Sequence, residues 1–341
     1  MSPSVSIIIN NYNYGRYLGA AIESALAQSY PGVEVVVVDD GSTDDSRDVI
    51  ARFGDRIRPV LRENGGQAAA LNSGFEASRG EVIFFLDSDD LLHPDAVAEV
   101  MKVWRPGVVK VQFLLDVIDA EGAPRGSRFP PDRRWPGELR ELILSLGTYP
   151  STGTTGNAFA RSALARLMPV PETRWRRQPD SYLILLIPFL GEALWLDKVL
   201  GCYRSHGSNQ WTMEELSLER LREQLHGEEL REEALREWAA EFGIVVPDDW
   251  RLRNPNHLQT RLASLRLDPG RHPYASDRRW GLARAGVRAA LRAPTFSGKK
   301  RLFFALWFLL TAAAPVGVAR PLVEVSFLRS KRAGWFQRLV G

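Results

Sequence analysis

Val82-Ile83-Phe84-Phe85-Leu86-Asp87-Ser88-Asp89-Asp90 is an apolar run that ends in three carboxylates. Such a run reads as a buried strand, and a strand buried on both faces belongs to a covered sheet. Acids crowded at its end repel each other unless a cation sits among them. Hard divalent cations want such oxygen ligands, and Mg²⁺ usually takes one or two carboxylates plus substrate phosphates. A second stretch is built the same way: Val35-Val36-Val37-Val38 runs into Asp39-Asp40-Gly41-Ser42. Asp and Ser also favour turns and helix caps. Two adjacent acidic strand ends point instead to a metal–nucleotide site.

Around these stretches strand and helix alternate. Residues 5–9 are apolar and β-branched, so a buried strand is expected there. Residues 17–28 place Leu18, Ile22, Ala25 and Leu26 on one helical face. Strands are expected at 33–38, 57–61 and 81–86, and helices at 44–53 and 67–78, the first opened by Ser42, Thr43 or Asp44. The pattern implies an α/β fold with a mostly parallel sheet, whose ligands bind beyond the carboxyl ends of the strands. Further on, a helix is expected at 94–104 and a strand at 108–118. A surface loop rich in Pro, Gly and Arg follows at 122–137, then a helix at 138–146 and a polar Ser/Thr/Gly loop at 150–157. Next come a helix at 162–167, an apolar stretch at 180–190 that packs on the sheet, and a strand near 194–203. Beyond Met213 the texture changes to a charged helix at 214–242, with Gly227 as a point of interruption, and another helix at 257–267.

With 341 residues, 45% hydrophobic and 25% charged, the chain is globular and long enough for a catalytic domain with an appendage. The single cysteine, Cys202, excludes an internal disulfide and suits a reducing compartment. The first residues lack a charged n-region and a cleavage site, so no signal peptide is expected. The net charge of +3 hides an asymmetry: residues 278–341 carry 13 Lys/Arg against one acid, Glu324, leaving −9 on residues 1–277. An anionic partner is expected for the basic segment. Lys299-Lys300-Arg301 precedes eighteen uncharged residues, 302–319, interrupted by Pro315 and Gly317. Upstream, Trp280, Val287 and Leu291 form a stripe beside Arg284, Arg288 and Arg292; downstream lie Arg329, Lys331, Arg332, Trp335, Phe336 and Arg338. Basic flanks with interfacial aromatics favour a helix lying on anionic lipid over a spanning one. A helical hairpin packed on the protein is the alternative. No recognised nucleic-acid motif accompanies the charge, so no nucleic-acid partner is expected.

In chain order, Val5-Ser-Ile-Ile-Ile-Asn-Asn-Tyr12-Asn13, Asp39-Asp40-Gly41-Ser42, Asn64-Gly-Gly-Gln-Ala-Ala-Ala-Leu-Asn72 and Asp87-Ser88-Asp89-Asp90 resemble the inverting glycosyltransferases of family 2. The resemblance covers roughly residues 4–210, and the joint order of short motifs carries it. It implies the nucleotide-sugar-binding GT-A fold at 1–212; the change of texture and of charge then sets off a helical extension at 213–277 and a basic, membrane-associating segment at 278–341. It also implies site roles. Tyr12 would lie against the nucleotide base, and Asp40 would accept a hydrogen bond from it. Asn10 and Asn72 fall at donor-binding positions. Asp87 would hold the ribose or a metal-bound water, and Asp89 would bind Mn²⁺ or Mg²⁺ on the donor diphosphate. The family's base motif, Glu-Asp-x-Asp before an apolar helix, is matched by Gln178-Pro179-Asp180-Ser181-Tyr182-Leu183. Asp180 then stands as general base, with Pro179 and Tyr182 in place of the flanking acids. Tyr203-Arg204-Ser205-His206 resembles the late motif, with Arg204 on phosphate and His206 on the metal. Asn10 stands where the family commonly has Pro, and Leu71 where it often has a basic residue. The loop 150–157 matches the region that recognises acceptor. Trp135, Trp175 and Trp211 are candidates for sugar stacking or for the core.

The expected activity is a metal-dependent, inverting transfer of one sugar from a nucleotide sugar, by default a UDP-sugar, to an acceptor hydroxyl. The basic segment suggests a glycan or polyprenyl-linked acceptor at the inner membrane face, in exopolysaccharide or O-antigen synthesis, by a cytoplasmic, peripheral enzyme. Two other classes stay open. A nucleotidyltransferase also uses acidic strand ends, but carries a Gly-rich, Arg-containing loop that 10–15 does not supply. A non-catalytic glycan- or membrane-binding protein on the same scaffold is the third.

Overall fold

The computed structural model describes residues 3–131, 138–206 and 215–328. Two compact units divide the chain: Met1–Arg134 with Ser151–His206, and Trp135–Pro150 with Gly207–Gly341. The domain boundary expected at 212/213 lies outside the described residues.

The first unit begins with β1 (Val5–Asn11), α1 (Gly15–Leu26), β2 (Val33–Asp40), α2 (Ser46–Ala51), β3 (Arg58–Arg62), α3 (Gln67–Ala77) and β4 (Val82–Asp87). Then come β5 (Leu91–Leu92), α4 (Ala96–Val103), β6 (Val108–Ile118) and β7 (Pro124–Phe129). The helix α5 (Leu139–Leu146) belongs to the second unit. The chain returns as β8 (Asn157–Ala160), α6 (Arg161–Leu167), α7 (Pro179–Leu186) and β9 (Glu192–Arg204). The strands form one sheet in the order β3-β2-β1-β4-β8-β6-β9-β5, with β7 beside β6.

Pairing is parallel across β3-β2-β1-β4 and again between β6 and β9. β8 runs antiparallel between β4 and β6, and β7 antiparallel along β6. The parallel order expected from the alternation thus holds in the first half, and the second half is mixed. The strand β7 occupies part of the expected loop at 122–137; residues 132–137 lie outside the described residues. Its first five residues are exposed and only Phe129 is half-buried, so no periodicity marks it. It pairs because Asp119 Oδ1 accepts from the Glu121 and Ala123 N–H groups (3.1 and 2.8 Å), closing a hairpin on β6.

Both faces of the early strands are covered, which is why they read as continuous apolar runs rather than alternating ones. Ile7, Ile9, Val35, Val37, Phe84 and Leu86 pack in one core with Leu18 and Ile22 of α1 and Val97 and Val100 of α4. On the other face α3 lies so close that a Cβ on Gly74 would stand 3.1 Å from Val38 Cγ2 and against Ile8. Register then sets the site: Asn10 of β1 pairs with Val38 and with Asp87, and Asn11 with Asp39, so the polar strand ends share one edge.

The second unit holds α5, α8 (Leu218–Phe242), α9 (Pro255–Leu267), α10 (Arg279–Arg292), α11 (Gly298–Ala313) and α12 (Val316–Phe327). The interruption expected at Gly227 does not occur: α8 runs unbroken to a left-handed Gly243. A helical Gly costs only about 1 kcal/mol against Ala, and Glu228–Arg231 and Glu232–Arg236 pairs (2.8 and 2.7 Å) support the turns that follow. No helix among the described residues is long and apolar enough to cross a membrane.

In α9, His257 is 2% exposed and neither ring nitrogen has a hydrogen-bond partner. Burial, then the charges of Arg261 and Arg251, pull its pKa down to about 3. The unfolded chain takes up that proton near pH 6.5, so the contribution is whole above pH 6.5 and shrinks as pH falls toward 3. Stability should fall by about 1.4 kcal/mol per pH unit through this window on account of His257. Urea denaturation of His257→Leu at several pH values should show that slope removed; an acid limb as steep as the wild type's would refute the assignment.

Candidate active site

The strand β4 delivers Asp87 to the sheet edge, and a turn closed by the Asp90 N–H on Asp87 O (3.0 Å) presents Asp89. The short β5 pairs Leu91 with Cys202 of β9, which brings Arg204 and His206 to that turn. Arg204 holds it: its N–H donates to Asp90 Oδ1 (2.8 Å), Nε to Asp89 O (2.8 Å), and Nη1 to the Asp119 and Ala120 carbonyls (3.2 Å each). His206 Nε2 lies 2.9 Å from Asp89 Oδ2, with its ring stacked on Tyr17 at 5.2 Å.

The loop 150–157 closes the other side. Thr155 Oγ1 accepts from the Asp87 N–H (3.1 Å), and its side chain also bonds Asp90. Thr154 and Asn10 bond Asp87, the latter through Nδ2 at 3.3 Å. Asp180 sits in the first turn of α7, where a Cβ added to Gly153 would stand 3.6 Å from its Oδ2. Burial, then the charges of Asp89 and Asp180, push Asp87 up to about 8. Burial, then Asp89 and Asp87, drive Asp90 well above the usual carboxylate range. Burial and the same two acids raise the Tyr14 phenol. Negative charge is therefore concentrated at this edge, the electrostatic condition for a cation site.

Of the residues expected at the site, Asn10, Asp87, Asp89, Asp180 and His206 converge. Tyr12, 46% exposed beyond β1, offers its ring to solvent. Three others have their groups engaged internally. The Asp40 carboxylate accepts from Arg62 Nη1 and from the Gly65 and Gly66 N–H groups (2.9 and 2.7 Å) and is 2% exposed, so it fastens the 64–66 turn. Its expected bond to a base is therefore not what it is built for. Asn72 exchanges bonds with Val170 (Nδ2 to O 3.0 Å, Val170 N to Oδ1 2.8 Å) and donates to Glu172 Oε1 (3.1 Å), which makes it a tether rather than a donor-site residue. Arg204 places Nε and Nη1 on backbone carbonyls, so it positions the acidic turn where phosphate contact was expected. Trp175 is core, 1% exposed against Tyr182; Trp135 and Trp211 lie outside the described residues.

Sequence reasoning passed over Thr154, Thr155, Tyr14 and Arg176. Arg176 Nη1 and Nη2 donate to Gly65 O (2.9 Å) and Asn64 Oδ1 (2.8 Å). A Cβ on Gly66, whose φ is +94°, would stand 2.9 Å from Arg176 O. The Gly65-Gly66 pair was the available signal for that close approach. For the threonines, hydroxyl content alone gave no direction.

Among the described residues no group of three or more His, Cys, Asp or Glu side chains is placed to hold a metal alone. The 2.9 Å between Asp89 Oδ2 and His206 Nε2 is nonetheless close to the ~3 Å separating neighbouring ligands of an octahedral ion with ~2.1 Å bonds. The pair fits a Mg²⁺- or Mn²⁺-like ion. Thr155→Val keeps the side chain's shape and strips the hydroxyl that ties Asp87 to Asp90. Loosening the turn that presents Asp89 should weaken Mn²⁺ binding up to roughly tenfold, with Thr155→Ser restoring it, as read by Mn²⁺ electron paramagnetic resonance. Unchanged Mn²⁺ affinity in Thr155→Val would remove the hydroxyl from that role.

Sheet order, acidic strand ends and the facing loop define the GT-A class of fold. Residues 6–167 match the family described as Glycosyl transferase family 2. An uncharacterised glycosyltransferase of Nostoc sp. is 32% identical over 314 residues, 89% of this chain and 94% of the relative. The chain belongs to glycosyltransferase family 2 and is a glycosyltransferase. An uncharacterised glycosyltransferase of Rickettsia typhi is 42% identical over 102 residues, 30% of this chain and 32% of that one. Two solved structures share the fold. The mannosyltransferase PcManGT from Pyrobaculum calidifontis superposes with a TM-score of 0.52 at 20% identity, covering 92% of this chain and 86% of its own. S. aureus TarS gives 0.50 at 17% identity, covering 99% of this chain and 55% of its own.

Proposed function

We propose that the chain is a metal-dependent, inverting glycosyltransferase that moves one sugar from a nucleotide sugar, by default a UDP-sugar, to an acceptor hydroxyl. The observation that carries this reading is the meeting of the Asp89–His206 pair, Asp87 and Asp180 at one sheet edge. PcManGT, which shares the fold, has a solved structure in complex with GDP-Man and Mn²⁺. Asp89 and His206 would hold Mn²⁺ or Mg²⁺, which supplies Lewis-acid stabilisation of charge on the departing nucleoside diphosphate. Asp180 takes the proton from the acceptor hydroxyl as its oxygen bonds the anomeric carbon and the bond to the diphosphate oxygen breaks. Asn10 and Thr154 orient Asp87 toward the donor, and the exposed Tyr12 ring lies against the base. Asp40 acts indirectly, by fixing the 64–66 turn. The acceptor is a glycan or polyprenyl-linked glycan of exopolysaccharide or O-antigen synthesis, met at an anionic membrane surface by a cytoplasmic, peripheral enzyme. The excess of basic residues after position 277 supports that location.

The test is hydrolysis of a nucleotide-sugar panel with Mn²⁺ or Mg²⁺. Release of nucleoside diphosphate from one donor, abolished by a chelator, is expected. Release of diphosphate from a nucleoside triphosphate and a sugar phosphate, with no donor hydrolysed, would make the protein a nucleotidyltransferase instead.

A further inference from the structure

We propose that the outer face of α10 and α11, with the start of α12, is the surface that docks on an anionic lipid bilayer, α11 lying flat along it. The proposal deepens, and rests on, the membrane-surface reading above. In α11 the residues Leu302, Leu306, Leu309 and Leu310 recur at helical spacing on one face and are 44–60% exposed. The opposite face, with Phe304, Trp307, Phe308 and Ala312, is buried. Eight of the twelve large hydrophobic residues exposed among the described ones fall between Trp280 and Val318, which gathers them in this one stretch. Contiguous exposed apolar surface of this kind marks an interaction site.

Two observations decide how lipid would be met. The first is that α11 is fixed to the protein along its inner face. Trp307 Nε1 donates to Leu322 O (2.9 Å), Arg266 of α9 donates through Nε to Thr311 O (3.0 Å), and a Cβ on Gly286 of α10 would clash with the edge of the Phe308 ring. A helix held in this way presents one face to lipid and does not cross it. The second is charge. Residues 278–328 hold nine Lys/Arg and a single acid, Glu324, which lies 3.8 Å from Arg320. Arg284, Arg288 and Arg292 are exposed along α10. Leucines flanked by arginines match an acyl boundary under anionic headgroups. The same net charge on two copies of this face opposes self-association.

The experiment is co-sedimentation of the full chain with phosphatidylcholine vesicles, with and without phosphatidylglycerol, at low and high salt. Binding to the anionic vesicles at low salt is expected, weakened by high salt. Arg284→Gln/Arg288→Gln should bind them roughly thirtyfold more weakly, about a fifth of the affinity being kept per arginine lost. Leu306→Gln/Leu310→Gln should reduce binding at both salt concentrations. All these side chains are exposed, so thermal unfolding and donor hydrolysis should stay at wild-type values. Vesicle binding unaltered by either pair would overturn this face while leaving the membrane reading intact. A full chain that stays in solution at low salt would overturn both. Leucine variants that dissociate an oligomer, with no vesicle binding by the wild type, would assign the face to a second copy and refute the proposal.

Discussion

Asp89→Asn should lower the transfer rate by roughly 10²–10⁴, because metal stabilisation of the departing diphosphate is worth several kcal/mol and each 1.4 kcal/mol is tenfold. The fold should not suffer. Asn keeps an oxygen opposite His206 Nε2, and the Asp89 side chain is only 14% exposed, so the cavity it fills stays filled. The charge it removes is one that Asp87 and Asp90 both feel as a repulsion. Thermal stability without metal should therefore hold or rise. This pairing of outcomes separates a metal ligand from a structural acid, whose neutralisation would lower stability. Melting curves with and without Mn²⁺, beside turnover against Mn²⁺ concentration, read both. A folded variant with unchanged turnover and metal dependence would end the assignment.

The second large effect belongs to Asp180. Asp180→Asn should reduce turnover by roughly 10²–10⁴ while donor affinity stays similar, since a general base acts on the acceptor proton. Its aim is set by local backbone. Gln178 stands at φ +64°, an unusual conformation for a residue with a side chain, with its N–H held by Gln67 Oε1 (3.3 Å). Pro179 follows at the first position of α7, where a missing N–H costs nothing. The replacement of an acid by Pro179 thus leaves the helix start intact. Asp180 comes next, where the helix N-terminus favours an ionised carboxylate. If donor affinity collapses while turnover per bound donor persists, Asp180 belongs to the donor site and another acid is the base.

Local chemistry was enough to read the early strands, because continuous apolar runs are what a sheet buried on both faces requires. It was enough for the acidic strand ends, whose carboxylates follow directly on those runs, and for the charge contrast after residue 277. Asp40, Asn72 and Arg204 had the right residue types for a donor site, and only tertiary structure showed their groups engaged elsewhere. A hydrogen-bonding side chain has few acceptor and donor positions, and which atoms fill them depends on chain segments brought together by folding. Asn72 meets Val170 and Arg204 meets Asp90 across about a hundred residues. Thr154 and Thr155 became partners of Asp87 and Asp90 in the same way, since β8 runs antiparallel beside β4 and carries their loop to the acidic turn. The strand β7 has exposed side chains up to Phe129 and no alternating pattern of its own; its backbone became a strand only because β6 offered an edge. For residues 302–319 composition left a span, a surface helix and a packed hairpin all open. Only the tertiary structure showed that α11 ends at Ala313, buries its aromatics on one face and leaves a row of leucines outside.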